Sequence, residues 1–251
     1  MDRPASAPCE RLIKAAKKLS RQCDQLCFAD PVTHVYNPLN YAWKAHRAYL
    51  SMASASTEVV FLGMNPGPWG MAQTGVPFGE IDAVKNWLGI DVPVSKPDNE
   101  HPKRPIEGFQ CTRSEVSGRR LWGLMQSRFG KPNAFLKQHF ILNYCPLVFM
   151  ESSARNRTPD KLPVDERKPL DDVCDQHLQT VLQILEPKHV VGVGAYAEQC
   201  LARALEQIGN QERKSPIQIS RVLHPSPASP AANRGWAEQA EKQLCDAGIW
   251  S

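Results

Sequence analysis

Four short apolar runs punctuate the chain, at Val59–Gly63, His139–Asn143, His189–Gly194 and Gln218–Leu223. Runs that are apolar at consecutive rather than alternate positions predict strands buried on both faces. Between and after them, apolar positions recur at helical spacing over about 81–88, 117–138, 170–186, 195–208 and 231–247. Ahead of the first strand, Leu12, Ile13, Ala16, Leu19, Cys23 and Leu26 form one stripe among lysines and arginines. They predict an amphipathic helix over 10–27, and a second helix follows near 40–54, after the Asn37-Pro38 turn signal. Strand and helix alternate, so the expected fold is α/β, with a mainly parallel four-stranded sheet between two helical layers. Residues 91–110 are charged, Pro-rich and without period, and read as a long surface loop. No repeat or low-complexity tail is visible. One domain over residues 1–251 is expected, with the first ~8 residues flexible.

Composition narrows the function classes. Of 251 residues, 42% are hydrophobic and 22% charged, enough apolar material for a core and against disorder. The net charge of +4 excludes a polycation but allows a local basic face. The long uncharged stretch Val59–Gly79 holds three prolines and five glycines, so it cannot be a membrane helix. The N-terminus has no apolar signal region. Eight scattered cysteines form no C-x-x-C, and Cys145, Cys174, Cys200 and Cys245 lie among apolar residues, as small hydrophobes do. Cys23 and Cys27 are spaced as one helix face and not as an ordinary zinc pair. A reduced, intracellular protein without a metal is expected, and the Asn156-Arg157-Thr158 sequon is then coincidental.

In parallel sheets, ligands bind at the carboxyl ends of strands. Three of the four segments leaving the predicted strands are chemically unusual: Gly63–Gly70 (GMNPGPWG), Asn143-Tyr144-Cys145-Pro146 and His224-Pro225-Ser226-Pro227. They place Asn65, Asn143 and His224 at one cleft. The first is too rich in Gly and Pro for helix or strand and reads as a rigid loop around Asn65. An amide such as Asn143 presents a donor and an acceptor together, matching a nucleobase edge. Phe78, held between Pro77 and Gly79, is placed as a stacking platform is. Gly192-Val193-Gly194-Ala195-Tyr196-Ala197 imitates half a dinucleotide fingerprint but lacks its acidic ribose partner, so no nicotinamide cofactor is expected. Cys145 with His224 is set aside as a thiol pair because nothing activates the thiol. Basic residues gather near the unusual loops, with Arg213, Lys214, Arg221 and Arg234 unaccompanied by any acid over 213–234. Residues 96–128 add seven basic and four acidic side chains.

The segments GMNPGPWGMAQTGVPFGE and HPSPASPAANRGW resemble the two signature motifs of the single-strand-selective monofunctional uracil-DNA glycosylases. Asn143–Leu147 fits a third, looser motif, and similar order extends over about residues 30–250. Common uracil-DNA glycosylases carry aspartate where Asn65 stands, and iron–sulfur branches need four clustered cysteines that this chain lacks. The resemblance implies a three-layer α/β/α fold and hydrolysis of the N-glycosidic bond of uracil, and of some 5-modified uracils, in single- and double-stranded DNA. It implies that Asn65 orients the attacking water and His224 stabilises the departing uracil anion. Asn143 would read the uracil edge, Phe78 would stack on the ring, and Met64 and Gly67 would line the pocket. The segment Pro225, Ser226, Pro227, Ala228, Ser229, Pro230 through Asn233 and Arg234 would be the wedge entering the duplex. Vertebrate members carry an arginine at the place of Ala228, so this wedge departs from the pattern. No cofactor, no membrane partner and a monomer are expected, acting in cytoplasm, nucleoid or nucleus. Two other readings stay open: a mismatch-directed glycosylase, and a non-catalytic binder of damaged DNA.

Overall fold

The four apolar runs form one parallel sheet in the computed structural model, which describes residues 7–209 and 216–251. Arg213 and Lys214 lie outside the described residues, as does most of the N-terminal stretch expected to be flexible; its last two residues, Ala7 and Pro8, already belong to a helix. In chain order the strands are β1 (Val32–Tyr36), β2 (Val59–Gly63), β3 (His139–Asn143), β4 (Val148–Glu151), β5 (Asn156–Arg157), β6 (His189–Val193) and β7 (Gln218–Val222). The helices are α1 (Ala7–Cys23), α2 (Pro38–Tyr41), α3 (Trp43–Leu50), α4 (Met71–Thr74), α5 (Val116–Phe129), α6 (Pro132–Leu136), α7 (Val164–Leu185), α8 (Ala195–Ile208) and α9 (Trp236–Asp246).

The parallel sheet runs β3-β2-β6-β7, with Val59, Val60 and Phe61 of β2 paired to His139, Phe140 and Ile141 on one side and to His189, Val190 and Val191 on the other. Every residue of the inner strand β2 is buried, so both faces of the sheet are covered there. β7, expected to be buried on both faces, is buried only at Val222, because it lies at the sheet edge with polar Gln218, Ser220 and Arg221 along it. α8 packs on β6, β7 and β2 and is joined by α7 and α1, whereas α5 meets α6 and α9, and α9 lies along β7. Gly192 is needed for the first of these packings, because a Cβ there would overlap the α8 backbone at Glu198. Gly192 thus has a packing role, and Gly194 is needed for its φ of 92°. Tyr49 ties α3 to the sheet: its hydroxyl donates to the Ile141 carbonyl at 2.9 Å and accepts from the Ile141 amide at 3.1 Å.

Several expectations change. The helix predicted over 10–27 ends at Cys23, leaving Cys27 exposed, so the two cysteines share no helix face. Cys245 is also exposed, whereas Cys145, Cys174 and Cys200 are buried. The 40–54 stretch is two helices, α2 and α3, and the 81–88 stretch contains a π-helical turn, Ala83–Trp87. The 117–138 stretch breaks into α5 and α6 at Gly130, whose φ of 66° stops a helix. α7 begins at Val164 and runs through Pro169, which forgoes one amide bond early in a 22-residue helix. A second, antiparallel sheet, β1-β4-β5, was not expected at all. The 91–110 segment is irregular up to a 3-10 turn at Gly108–Gln110, but it is not simply surface. Ile106 and His101 are buried, and the Tyr36 hydroxyl accepts from the His101 amide and donates to the Arg104 carbonyl.

Candidate active site

The loop leaving β2 has no ladder of its own, so other segments must satisfy its backbone. Backbone bonds from Tyr144 and Cys145 take the Gly63 and Met64 carbonyls, and Gln73 ties the loop to its neighbour. Its Nε2 donates to the Pro68 and Pro105 carbonyls at 3.2 and 3.0 Å, while its Oε1 accepts from the amides of Glu107 and Gly108. This staples the loop to the 91–110 segment. Further on, the Trp122 indole donates to the Pro77 carbonyl and the Tyr41 hydroxyl to the Ala72 carbonyl. Phe78 is thereby held at a φ of 53°, a conformation non-glycine residues rarely adopt, with its ring buried. A Cβ on Gly63 would overlap both the Phe78 ring and Asn143 Oδ1, and one on Gly118 would overlap the Phe78 carbonyl. Strain at Phe78 and absent side chains around it fix where its ring lies.

Asn65 donates from Nδ2 to the Leu147 carbonyl at 3.2 Å. Its amide orientation is therefore set, and Oδ1 remains to accept. Asn143, at the end of β3, donates from Nδ2 to Met71 Sδ at 3.2 Å, and its buried Oδ1 has no partner. The next residue anchors it: the Tyr144 hydroxyl donates to Asp175 at 2.9 Å, and Arg203 holds the same carboxylate at 2.6 and 2.9 Å. His224 follows β7. The Ser226 amide donates to its Nδ1 at 3.1 Å, so Nδ1 is an acceptor and the neutral ring carries its proton on Nε2. Burial lowers the His224 pKa from the usual 6.5, favouring that neutral form. Gly194, at a φ of 92°, makes room, since a Cβ there would meet His224 Cβ at 3.1 Å.

These groups face one cavity of about 360 Å³, lined by Met64, Asn65, Gly67, Phe78, Asn143, His224 and Ser226 among the expected residues. The Phe78 and His224 rings lie 6.5 Å apart between centroids. Beyond Ser226 the expected wedge does not line the cavity. Pro225 is buried, Ser229 is half-buried, and Pro227, Ala228, Pro230, Asn233 and Arg234 form an exposed projection. Cys145 is buried and does not line the cavity either. Among the described residues, no group of three or more His, Cys, Asp or Glu side chains could hold a metal.

Five residues escaped the sequence reading. Glu115, Ser117, Asn156 and Thr158 also line the cavity. Arg120 of α5 clamps the projection, donating to the Pro225 and Ser226 carbonyls at 3.1 and 3.3 Å and to Asn233 Oδ1 at 2.8 Å. Asn156 and Thr158 had been visible only as a sequon, whose spacing carries no hint of a pocket. Glu115 is the most unusual of the five. Its carboxylate is buried against Gly67 and Gly70, which have no Cβ to spare, and Oε2 lacks a hydrogen-bond partner. Burial raises its pKa from 4.5 to about 7, and nearby Glu80 adds to the rise. The amides of Trp69 and Gly70 pull the other way, although none closes a complete bond to Oε2.

A family model described as the Uracil DNA glycosylase superfamily matches residues 50–245. The single-strand selective monofunctional uracil-DNA glycosylase of Rattus norvegicus is 45% identical over 255 residues, covering 98% of this chain and 90% of its own. The Bos taurus protein of the same name is 45% identical over 241 residues, covering 96% and 87%. Among solved structures, wild-type Pedobacter heparinus SMUG2 superposes with a TM-score of 0.63 over 93% of this chain and 97% of its own. At 16% identity that likeness speaks for the fold alone.

Proposed function

The chain belongs to the uracil-DNA glycosylase superfamily, and from that premise we propose that it is a monofunctional glycosylase that hydrolyses the N-glycosidic bond of uracil in DNA and leaves an abasic site. The observation that carries this reading is the meeting of Asn65, Phe78, Asn143 and His224 around one cavity at the carboxyl ends of the parallel strands. A cavity of this kind lies beyond reach of a base stacked in a duplex, so the nucleotide enters extruded, at a cost of a few kcal/mol that single strands largely avoid.

Each side chain then has a part. Phe78 offers its ring as the floor on which the pyrimidine stacks. Asn143 Oδ1, buried and unpartnered, accepts from uracil N3–H, while Nδ2 turns from Met71 to donate to O4. Cytosine, with an acceptor at N3, leaves that Oδ1 unsatisfied, which is how a buried polar group rejects the wrong base. As the bond to the sugar breaks, negative charge gathers on the uracil. His224, kept neutral with Nε2–H free, donates to it without needing to be charged first. Asn65 cannot take a proton; with Nδ2 held by Leu147, its Oδ1 positions the water that attacks C1′. Among the described residues no lysine lines the cavity, in keeping with hydrolysis rather than a Schiff-base mechanism. The cavity exceeds a bare pyrimidine in size, which supports acceptance of 5-modified uracils. We extend the reading to a single-domain monomer acting inside the cell, with the segment after His224 as the wedge.

The deciding experiment incubates the protein with a uracil oligonucleotide, single-stranded and as U·A and U·G duplexes, and then cleaves abasic sites with alkali. Release from the single strand and from both duplexes is expected. Cleavage of U·G alone would mean a mismatch-directed enzyme, and binding without any cleavage would mean a non-catalytic DNA binder.

A further inference from the structure

Trp69 sits in the loop that leaves β2, directly after Pro68, which lines the cavity. Two guanidinium groups lie against its half-buried indole, that of Arg113 at 4.4 Å from the ring centroid and that of Arg104 at 4.9 Å. An indole favours such cations, but two like charges on one ring repel each other. Four arginines elsewhere, Arg128, Arg157, Arg203 and Arg221, each meet a carboxylate at 2.6 to 3.0 Å, and Arg120 is taken up by loop carbonyls and Asn233. Among the described residues, neither Arg104 nor Arg113 forms an ion pair with a carboxylate. Arg104 donates from Nε to the Ala154 carbonyl at 3.2 Å, which fixes the plane of its fork and leaves its terminal amino groups available. Arg155, beside that carbonyl, is exposed and lines a second cavity of about 320 Å³ that shares Asn156 and Thr158 with the first.

A rim of uncompensated, preorganised guanidinium groups therefore borders the cavity on the Pro68 side, on elements other than the projection after β7. Planar guanidinium forks match the oxygen spacing of a phosphodiester, and a contact of that kind reads no base edge. We propose that Arg104 and Arg113, stacked on Trp69, bind the phosphodiester backbone of the DNA strand flanking the extruded nucleotide. This rests on the glycosylase reading and deepens it. Binding of this kind needs no second strand, so it holds single-stranded substrate as well as duplex.

The test measures equilibrium binding of a single-stranded oligonucleotide bearing 2′-fluoro-2′-deoxyuridine, which resists cleavage, over a series of salt concentrations. Compared are the wild-type protein, the double variant Arg104→Gln/Arg113→Gln, and a control, Lys14→Gln/Lys18→Gln, that removes the same charge from the exposed side of α1. Loss of two phosphate contacts from a single strand should weaken binding roughly tenfold and flatten the plot of log K against log salt by about 1.4. In excision, the half-saturating DNA concentration should rise by a larger factor than the single-turnover rate falls. Trp69→Leu, which keeps both charges but removes their platform, should weaken binding with little change of slope. An equal loss of slope in the α1 control would reduce the effect to net charge and overturn the proposal, as would an unchanged slope in the double variant. Inorganic phosphate that competes with DNA beyond matched chloride, for the wild type and not for the double variant, would mark a free-anion site and overturn the strand assignment. Uracil excision by the wild-type protein is measured alongside; its absence would sink the glycosylase reading, whereas excision with an unaltered slope sinks only the phosphate contact.

Discussion

Glu115→Gln isolates the energetic consequence of burying a carboxylate in the cavity wall. The amide has the same shape, which matters because neither Gly67 nor Gly70 leaves space for an added atom beside it. A folded-state pKa of about 7 against 4.5 unfolded means that the folded protein holds this proton more tightly. The stability so gained is fully present below pH 4.5 and is lost as pH rises through 7. At 1.36 kcal/mol per unit, the loss amounts to roughly 3 kcal/mol across that window. Glutamine has no proton to lose, so the variant should not show this loss. Urea unfolding followed by tryptophan fluorescence, between pH 5 and pH 8 buffers (about the range in which the shifted group titrates), checks the difference directly. In a domain of this size the divergence corresponds to a melting difference of roughly 6–12 °C at the alkaline end. The same charge would repel the uracil anion developing in the cavity, so the variant should also flatten the decline of the single-turnover rate above pH 7. A stability difference between the two proteins that is constant with pH would refute the argument, because it would mean that Glu115 is already ionised at low pH or reaches water.

Three further outcomes are expected. His224→Ala should slow uracil release by roughly 10²–10³-fold, and by less for 5-fluorouracil, whose anion needs less help; equal losses in single-turnover assays would make His224 structural. Asn143→Asp should cost most of the uracil activity, since a carboxylate cannot donate to O4, and unchanged excision would leave Asn143 only a shaping role. Ala228→Arg should raise single-turnover activity on U·A duplexes more than on single strands, because a longer side chain fills the gap left by extrusion. That gain should shrink with salt, and equal gains on both substrates would indicate general attraction to DNA.

The sequence by itself determined the features whose causes are local. Continuous apolar runs specify strands wherever they fall, and all four strands of the parallel sheet lie where the pattern puts them, within a residue at their ends, although the edge strand β7 is largely exposed. Gly and Pro in the loop after β2 forbid regular structure irrespective of what packs on them, so a rigid loop around Asn65 was legible. The carboxyl-end rule brings Asn65, Asn143 and His224 to one cleft, and all three line the same cavity. The sheet β1-β4-β5 was not legible, because a two-residue strand such as Asn156–Arg157 has no period and β1 finds β4 more than a hundred residues away. Helix ends at Cys23 and Gly130 depended on what followed them rather than on the stripe itself. Glu115, Asn156 and Thr158 are ordinary polar residues in the chain, and only their convergence on the cavity gives them interest. The same holds for Arg120, Arg104 and Arg113, whose partners are a loop carbonyl or an indole remote in sequence. Desolvation and charge proximity act through space, so the raised pKa of Glu115 and the neutral tautomer of His224 exist only once the fold has closed around them.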